Sequence, residues 1–315
     1  LFLGGPVLLF PQTDMSMPAI ARYLPLATKI ALLVCLAVLP GEAAAESVLD
    51  RAERTGVLNA GTRDHIRPFA FRQEDGSFIG FSVDIIRHIH AALEAKLGRD
   101  IALEIGQVDA QSRIDRVADG TLDITCDIAS KTWVREQRID YSLTIFYNGT
   151  RILTERQIGL DGLGGLEGRQ VGVIANSATI DVLRRTLPSV ELVQFPSMNA
   201  AMAALEAGEV SGISNISIVL RDLQRQATQP GRYIILPRAG YLNGEPMACI
   251  LPQDDSRWRD FVDHTLVRLL KGIEEYRGPY FETYQKWFGP NGDLHYPLNR
   301  DAINHFNQSR GWIDE

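Results

Sequence analysis

Twice along this chain, apolar runs of strand length alternate with segments whose apolar residues recur every three or four positions. That alternation points each stretch toward an α/β unit with a parallel sheet and helices on its faces. In the first stretch, residues 56–61 and 69–71 read as short strands and 74–77 as a turn in which Gly76 supplies the unusual backbone angle. Val83, Ile86, Ile89, Leu93 and Leu97 recur at helical spacing behind Ser82 as a cap, and Gly98 stops that helix. A strand over 101–105, a short helix over 113–120 and a buried strand over 122–127 follow. The second stretch repeats the logic: a strand over 171–174, a helix over 179–187 and a strand over 192–195. A helix capped by Asn199 and stopped by Gly208 then leads to a strand over 210–213. Another strand surrounds Cys249, followed by a helix over 258–271 and a shorter one ending near Trp287. Periodicity assigns this last third to neither unit.

Composition narrows the class. With 45% apolar and 23% charged residues over 315 positions, the chain carries ample material for two packed domains and is no disordered polymer. A net charge of -7 argues against nucleic acid, because a binder needs a basic face to displace phosphate counterions. The six histidines are scattered and the three cysteines lie far apart, so no metal site is read from spacing. His88 and His90, two apart on a predicted helix, point to different sides, and His90 reads as a helix-face residue.

Residues 17–45 read as a secretory signal. Arg22 and Lys29 precede a ten-residue apolar run at 30–39, Pro40 and Gly41 break it, and Ala43-Ala44-Ala45 offers small residues for a cut before Glu46. Ten residues fall short of the roughly 20 a spanning helix needs. Val34, preceding Cys35, is too large for a lipid-anchor motif. Residues 1–14 precede the first methionine, Met15, and read as a start-site extension. Export leaves a mature chain with two cysteines, Cys126 and Cys249. In an oxidising compartment an even pair favours one disulfide, and two separate buried thiols are the alternative.

Familiar chemical motifs are missing. The glycines at 162, 164, 165 and 168 fail the dinucleotide spacing and precede a strand rather than follow one, so they read as a loop. No phosphate-cradling loop, H-E-x-x-H or G-x-S-x-G occurs. What remains is Arg63, Arg113, Ser130, Arg135 and Ser177, each just beyond a predicted strand or at the start of a helix. Open α/β sheets bind ligands at the carboxyl ends of their strands, and arginine's planar fork clamps a carboxylate through two parallel hydrogen bonds.

The segments Gly61-Thr-Arg63-Asp-His-Ile-Arg-Pro68-Phe69-Ala-Phe71 and Gly76-Ser-Phe-Ile-Gly80-Phe81-Ser-Val-Asp84 resemble the opening of family 3 bacterial extracellular solute-binding proteins. The stretch Ser130-Lys-Thr-Trp-Val-Arg135-Glu-Gln-Arg-Ile139-Asp140-Tyr141-Ser142 is similar to the family's arginine segment. Leu163-Gly-Gly-Leu-Glu-Gly168-Arg-Gln-Val-Gly172-Val and Tyr284-Gln-Lys-Trp287-Phe288-Gly289 match its later landmarks. Gly61-Thr-Arg63-Asp64, Arg113, the two cysteines and the tail beyond Gly289 most resemble the glutamate/aspartate-binding branch.

The resemblance implies a type II periplasmic binding protein, an α/β fold of two lobes joined by two crossing strands near 145–149 and 243–247. Lobe 1 would comprise 46–147 plus 246–315 and lobe 2 would comprise 148–245, after a removed 1–45. That division places both cysteines in lobe 1 and favours the Cys126–Cys249 disulfide. The implied role is a monomeric, non-enzymatic, periplasmic component that hands a small acidic amino acid or dicarboxylate to an ABC importer permease, with no cofactor or metal. Arg135 would grip the ligand α-carboxylate beside Ser130, Asn176 and Ser177 would contribute from lobe 2, and Arg63 and Arg113 would hold a side-chain carboxylate. Two positions depart from the family pattern. Asn215 stands where the second lobe usually offers an aspartate to the ligand ammonium, and Ile128 and Ala110 replace a small residue and a stacking aromatic. Competing readings are an exported cyclohexadienyl dehydratase-like enzyme on the same fold, or a ligand-sensing partner of a membrane receptor.

Overall fold

A computed structural model describes residues 46–109, 112–175 and 177–310. The predicted signal segment, Ala110 and Asn176 lie outside the described residues. Helix α1 (Val48–Thr55) turns into β1 (Val57–Thr62), and β2 (His65–Ile66), β3 (Ala70–Arg72) and β4 (Phe78–Ile79) form a separate small antiparallel sheet. Then come α2 (Phe81–Leu97), β5 (Ala102–Gln107), α3 (Ser112–Ala118), β6 (Ile124–Ser130), the single turn α4 (Trp133–Glu136) and the 17-residue β7 (Ile139–Glu155). Beyond it lie β8 (Gln170–Ile174), α5 (Ala178–Thr186), β9 (Glu191–Phe195), α6 (Met198–Ala207), β10 (Gly212–Ile216), α7 (Ser217–Gln226) and β11 (Tyr233–Leu236). The chain returns through β12 (Asn243–Pro252), α8 (Ser256–Leu269), α9 (Pro279–Phe288) and α10 (Arg300–Arg310).

Nine strands make one mixed sheet in the order β5-β1-β6-β12-β7-β10-β8-β9, with β11 also paired to β7. β1 is parallel to β5 and β6, and β8 is parallel to β9 and β10, which is the arrangement that strand–helix–strand alternation requires. The antiparallel pair β7–β12 joins the two parallel sets.

Several local expectations shift. Helix α2 is entered through Gly80, not capped by Ser82, because φ there is 137° and a Cβ would strike the Phe69 carbonyl. Ser82 sits buried in the first turn instead. Ser197, rather than Asn199, caps α6, its Oγ accepting the Ala200 amide at 3.2 Å. The glycine cluster folds into 3-10 turns over Ile158–Leu166, broken at Gly162. Residues 69–71 extend into the small sheet and not into the main one. Helix α7 has no counterpart in the sequence reading, because the strand expected over 210–213 is followed by Ile216, Ile218 and Val219, β-branched residues that give a weak helix signal.

Around the first parallel set, the core is aromatic. Phe81 and Phe146 pack against Tyr284 and Phe288 with centroids 5.2–6.1 Å apart. Asp84, 8% exposed, ties α2 to α9: it accepts from Lys286 Nζ at 2.6 Å and Trp287 Nε1 at 2.8 Å, and from Arg87 at 3.1 Å. Such a buried carboxylate is tolerable because each oxygen has donors. His88 and His90 are held separately, by Thr283 Oγ1 at 2.9 Å and the Ile101 carbonyl at 2.6 Å. A second core of Leu153, Leu205, Ile213, Leu220 and Tyr233 lies behind β10, and Val171, Val173 and Leu183 pack on the opposite side of that sheet. Among the described residues, no helix is long and apolar enough to cross a membrane.

Cys126 of β6 and Cys249 of β12 are bonded, fully buried between neighbouring strands that the chain separates by 123 positions. Linking them removes the loop entropy of that long segment from the unfolded chain. We expect the Cys126→Ala/Cys249→Ala double variant to lose about 3 kcal/mol of stability. Urea unfolding checks this, and an unchanged midpoint and slope would show that the bridge contributes nothing.

Candidate functional site

Strand direction decides where this molecule presents open loops. Ser130, the last residue of β6, pairs with Met247, and Met247 pairs with Phe146 of β7. Ile216, the last residue of β10, pairs with Thr150 of the same strand. β6 runs with β7, being antiparallel to β12, whereas β10 runs against it. The carboxyl ends of the two parallel sets therefore point at each other, four residues apart along β7, or roughly 13 Å of strand. Loops from both sets converge on that gap, and this is where an open α/β sheet holds a ligand.

The residues singled out from the sequence fall on its rims. Arg63 follows β1 directly, Arg113 opens α3 beyond β5, Ser130 ends β6 and Arg135 lies on α4. Ser177 is the N-cap position of α5 beyond β8, and Asn215 is the penultimate residue of β10. Arg113 is only 3% exposed, while Arg63 and Arg135 are half-buried. The hydroxyl of Ser177 is buried, makes no hydrogen bond among the described residues, and sits where a helix presents its first amides. Asn215 is already engaged, its Oδ1 accepting the Ile216 amide at 2.8 Å.

A cavity of about 640 Å³ adjoins this gap, and none of those residues lines it. Its walls come instead from their neighbours and mix apolar with polar groups: Ile66, Arg67 and Phe69 beyond Arg63, Ile216, Val219 and Asp222 beyond Asn215, and Asn199 and Asp293 between them. The sequence reading missed this wall. The strand expected over 210–213 stops short of Ile216, and only the turn from β10 into α7 reveals that it faces a cavity.

The 130–135 segment is anchored from below. The half-buried Lys131 ammonium stands 5.9 Å from the centre of the Tyr141 ring, and loss of water pushes its pKa down. The Asp263 carboxylate on α8 acts against that fall through its opposite charge. Burial pushes that carboxyl up to about 6, even though the Leu143 amide donates to it at 2.7 Å and Lys131 attracts it. Arg138 pairs with Asp115 at 2.9 Å, joining the end of α4 to the helix that carries Arg113. Trp133 and Val134, between these anchors, are 79% and 74% exposed.

Residues 58–290 match the bacterial extracellular solute-binding proteins, family 3. The chain is 25% identical over 251 residues to the glutamate/aspartate import solute-binding protein of Escherichia coli (strain K12), covering 78% of this chain and 80% of that one. Two solved structures share its fold. A polar amino acid ABC uptake transporter substrate-binding protein from Streptococcus thermophilus matches at a TM-score of 0.60 and 21% identity, over 87% of this chain and 98% of that one. An ancestral amino acid-binding protein, a precursor of cyclohexadienyl dehydratase, matches at a TM-score of 0.55 and 20% identity, over 77% of this chain and all of that one. The chain belongs to family 3 of the bacterial extracellular solute-binding proteins, with the type II fold of two α/β lobes joined by two crossing strands.

The Asp263 carboxyl that receives the Leu143 amide has a pH signature. A carboxyl whose pKa rises on folding binds its proton more tightly in the folded chain, so its contribution to stability falls as pH climbs from about 4 to about 6. Asp263→Asn keeps an acceptor for Leu143 and should remove that fall. Thermal unfolding of both proteins at stepped pH checks it; parallel curves between pH 4 and 7 would refute the assignment.

Proposed function

We propose that this solute-binding protein is the periplasmic receptor of an amino-acid ABC importer and that it captures a small acidic amino acid or related carboxylate between its lobes. The observation that carries this reading is the convergence of Arg63, Arg113 and Arg135 on the carboxyl edges of one parallel set, opposite Ser177 on the other. A planar guanidinium suits a carboxylate, and an orphaned buried hydroxyl at a helix N-terminus suits an oxygen of the same group. Relatives that include a glutamate/aspartate import solute-binding protein support the amino-acid and importer parts.

In this reading residues 1–45 are a cleaved export signal, lobe 1 is 46–147 plus 246–315, and lobe 2 is 148–245. The mature protein is a monomer and a carrier rather than a catalyst. Arg135 and Ser130 take one carboxylate, Arg63 and Arg113 take the second, and Asn176, Ser177 and Asn215 meet the ligand from lobe 2. Closure turns on the Tyr147–Gly149 and Gly244–Pro246 pairs, where β7 meets β12. Gly149 fits there because a Cβ would strike the Tyr241 ring and the Asn243 carbonyl. A ligand touching both lobes favours the closed state by its differential affinity, and the importer permease reads that state.

Arg135→Ala should lose binding of every carboxylate by 30-fold or more, roughly what truncating one partner of a desolvated ion pair removes. Arg63→Ala should weaken dicarboxylates preferentially. Calorimetry with aspartate, glutamate, succinate and neutral amino acids measures both. Equal affinities for the wild type and Arg135→Ala would overturn the assignment.

A further inference from the structure

The family match ends at residue 290, yet the chain continues as a strap across the crossing strands. The apolar face of this strap is anchored in the first lobe. Leu298, Ile303 and Phe306 are buried in that lobe's core, Phe306 edge-on to Tyr280 at 5.2 Å, and the Tyr284 hydroxyl donates to the Tyr296 carbonyl at 2.9 Å. Its polar face reaches the chain beyond the bend instead. Asp301 accepts the Gly240 amide at 2.9 Å, and Asn299 Nδ2 donates to the Tyr241 hydroxyl at 2.8 Å. The Tyr296 hydroxyl lies 3.5 Å from that same hydroxyl and donates to Asn148 Oδ1 at 3.2 Å.

The second lobe grips Gly240 and Tyr241 from its own side. Arg151 Nε donates to the Gly240 carbonyl at 2.8 Å, and its guanidinium lies 4.6 Å from the centre of the Tyr241 ring. The Leu242 amide donates to the Thr150 carbonyl at 2.9 Å. Residues 240–242 are therefore tied to β7 beyond Gly149, whereas the strap is tied to the first lobe. Building on the lobe closure proposed above, we propose that the strap is an interlobe latch: it holds the lobes apart, and the ligand must release it to close them. Tyr296, Asn299 and Asp301 line no part of the cavity, so the tail sets affinity without touching the ligand.

The latch is complete in an arrangement that leaves a cavity of about 640 Å³ between walls drawn from both lobes. Cavities of roughly 300–1,000 Å³ surround drug-sized molecules, so a small amino acid leaves this one partly unfilled, and gripping it draws the walls together. Turning the second lobe about Tyr147–Gly149 carries Gly240 and Tyr241 along with Arg151, while Asn299 and Asp301 stay with the buried Ile303 and Phe306. Hydrogen bonds weaken steeply once bent or stretched, so closure costs those that cross the bend. The apparent affinity is then reduced to the fraction of molecules in which the latch has opened.

The double variant Tyr241→Phe/Asp301→Ala removes the contacts to Gly240 and to the Tyr241 hydroxyl but keeps the Tyr241 ring and the buried face of α10. Calorimetry with glutamate on residues 46–315 should show it binding at least fivefold tighter than the wild type, about what one net hydrogen bond contributes. Misfolding cannot produce that gain. Nitroxide labels at Gln107→Cys and Gln194→Cys, exposed positions near the carboxyl ends of the edge strands β5 and β9, give a reading without ligand. Their separation should shift to shorter distances in the double variant. Unchanged or weaker binding would overturn the latch. If glutamate binds neither protein while neutral or basic amino acids do, the acidic-ligand reading falls, and the same comparison with the amino acid that binds decides the latch. If no amino acid binds either protein, the label separations decide it, and identical distributions overturn it.

Discussion

Everything in this molecule hangs on the antiparallel pairing of β7 with β12. One 17-residue strand supplies hydrogen bonds first to β12, then to β10 and β11, so a single backbone runs from one parallel set into the other. Because β6 and β10 meet that ladder from opposite directions, their carboxyl ends are aimed at each other. The cleft is thus a consequence of strand polarity before any side chain is considered.

Rigidity is distributed unevenly around that ladder. The first lobe is braced by stacked and edge-on aromatics, by the buried disulfide and by Asp84 with its ring of donors. The chain beyond α9 adds a strap: Tyr296 and Asn299 both reach the Tyr241 hydroxyl, and Asp301 accepts the Gly240 amide at 2.9 Å. These contacts join the C-terminal tail to the segment that leads into β12. Tyr147, stacked on His305 at 4.2 Å, adds a contact from α10 to β7 itself. Burial among these rings drives the Tyr241 hydroxyl strongly toward its neutral form, so it serves as an uncharged hydrogen-bonding group. The bracing thus reaches the crossing strands themselves, where Tyr147 also meets the Tyr241 ring and Asn148 Oδ1 accepts from the Tyr296 hydroxyl at 3.2 Å.

The elements whose signals are local were legible in the sequence. Residues 83–97 show helical spacing ended by Gly98, and 171–174 and 192–195 show strand runs between turns, because period and punctuation are written within a few residues. Caps were less legible. Ser82 and Asn199 both looked suitable, yet the entries to their helices lie at Gly80 and Ser197, where the incoming chain geometry, not residue type, selects the cap. Helix α7 escaped notice because a β-branched run gives no hint of where a strand stops and a helix begins.

The sequence by itself determined the α/β class, the sites of the strands and their following loops, and the presence of arginines and hydroxyls at those loops. Family landmarks added the two-lobe form and the cysteine pairing. What only the tertiary structure decided is which of those loops share a cleft and what else lines it. β7 and β12 pair across about a hundred intervening residues, and no local pattern encodes a partner that distant. The same holds for Ile66 and Ile216, 150 positions apart, which become walls of one cavity through the convergence of two sheets rather than through any motif around either. Side-chain chemistry is local and readable; neighbourhood is a property of the folded chain.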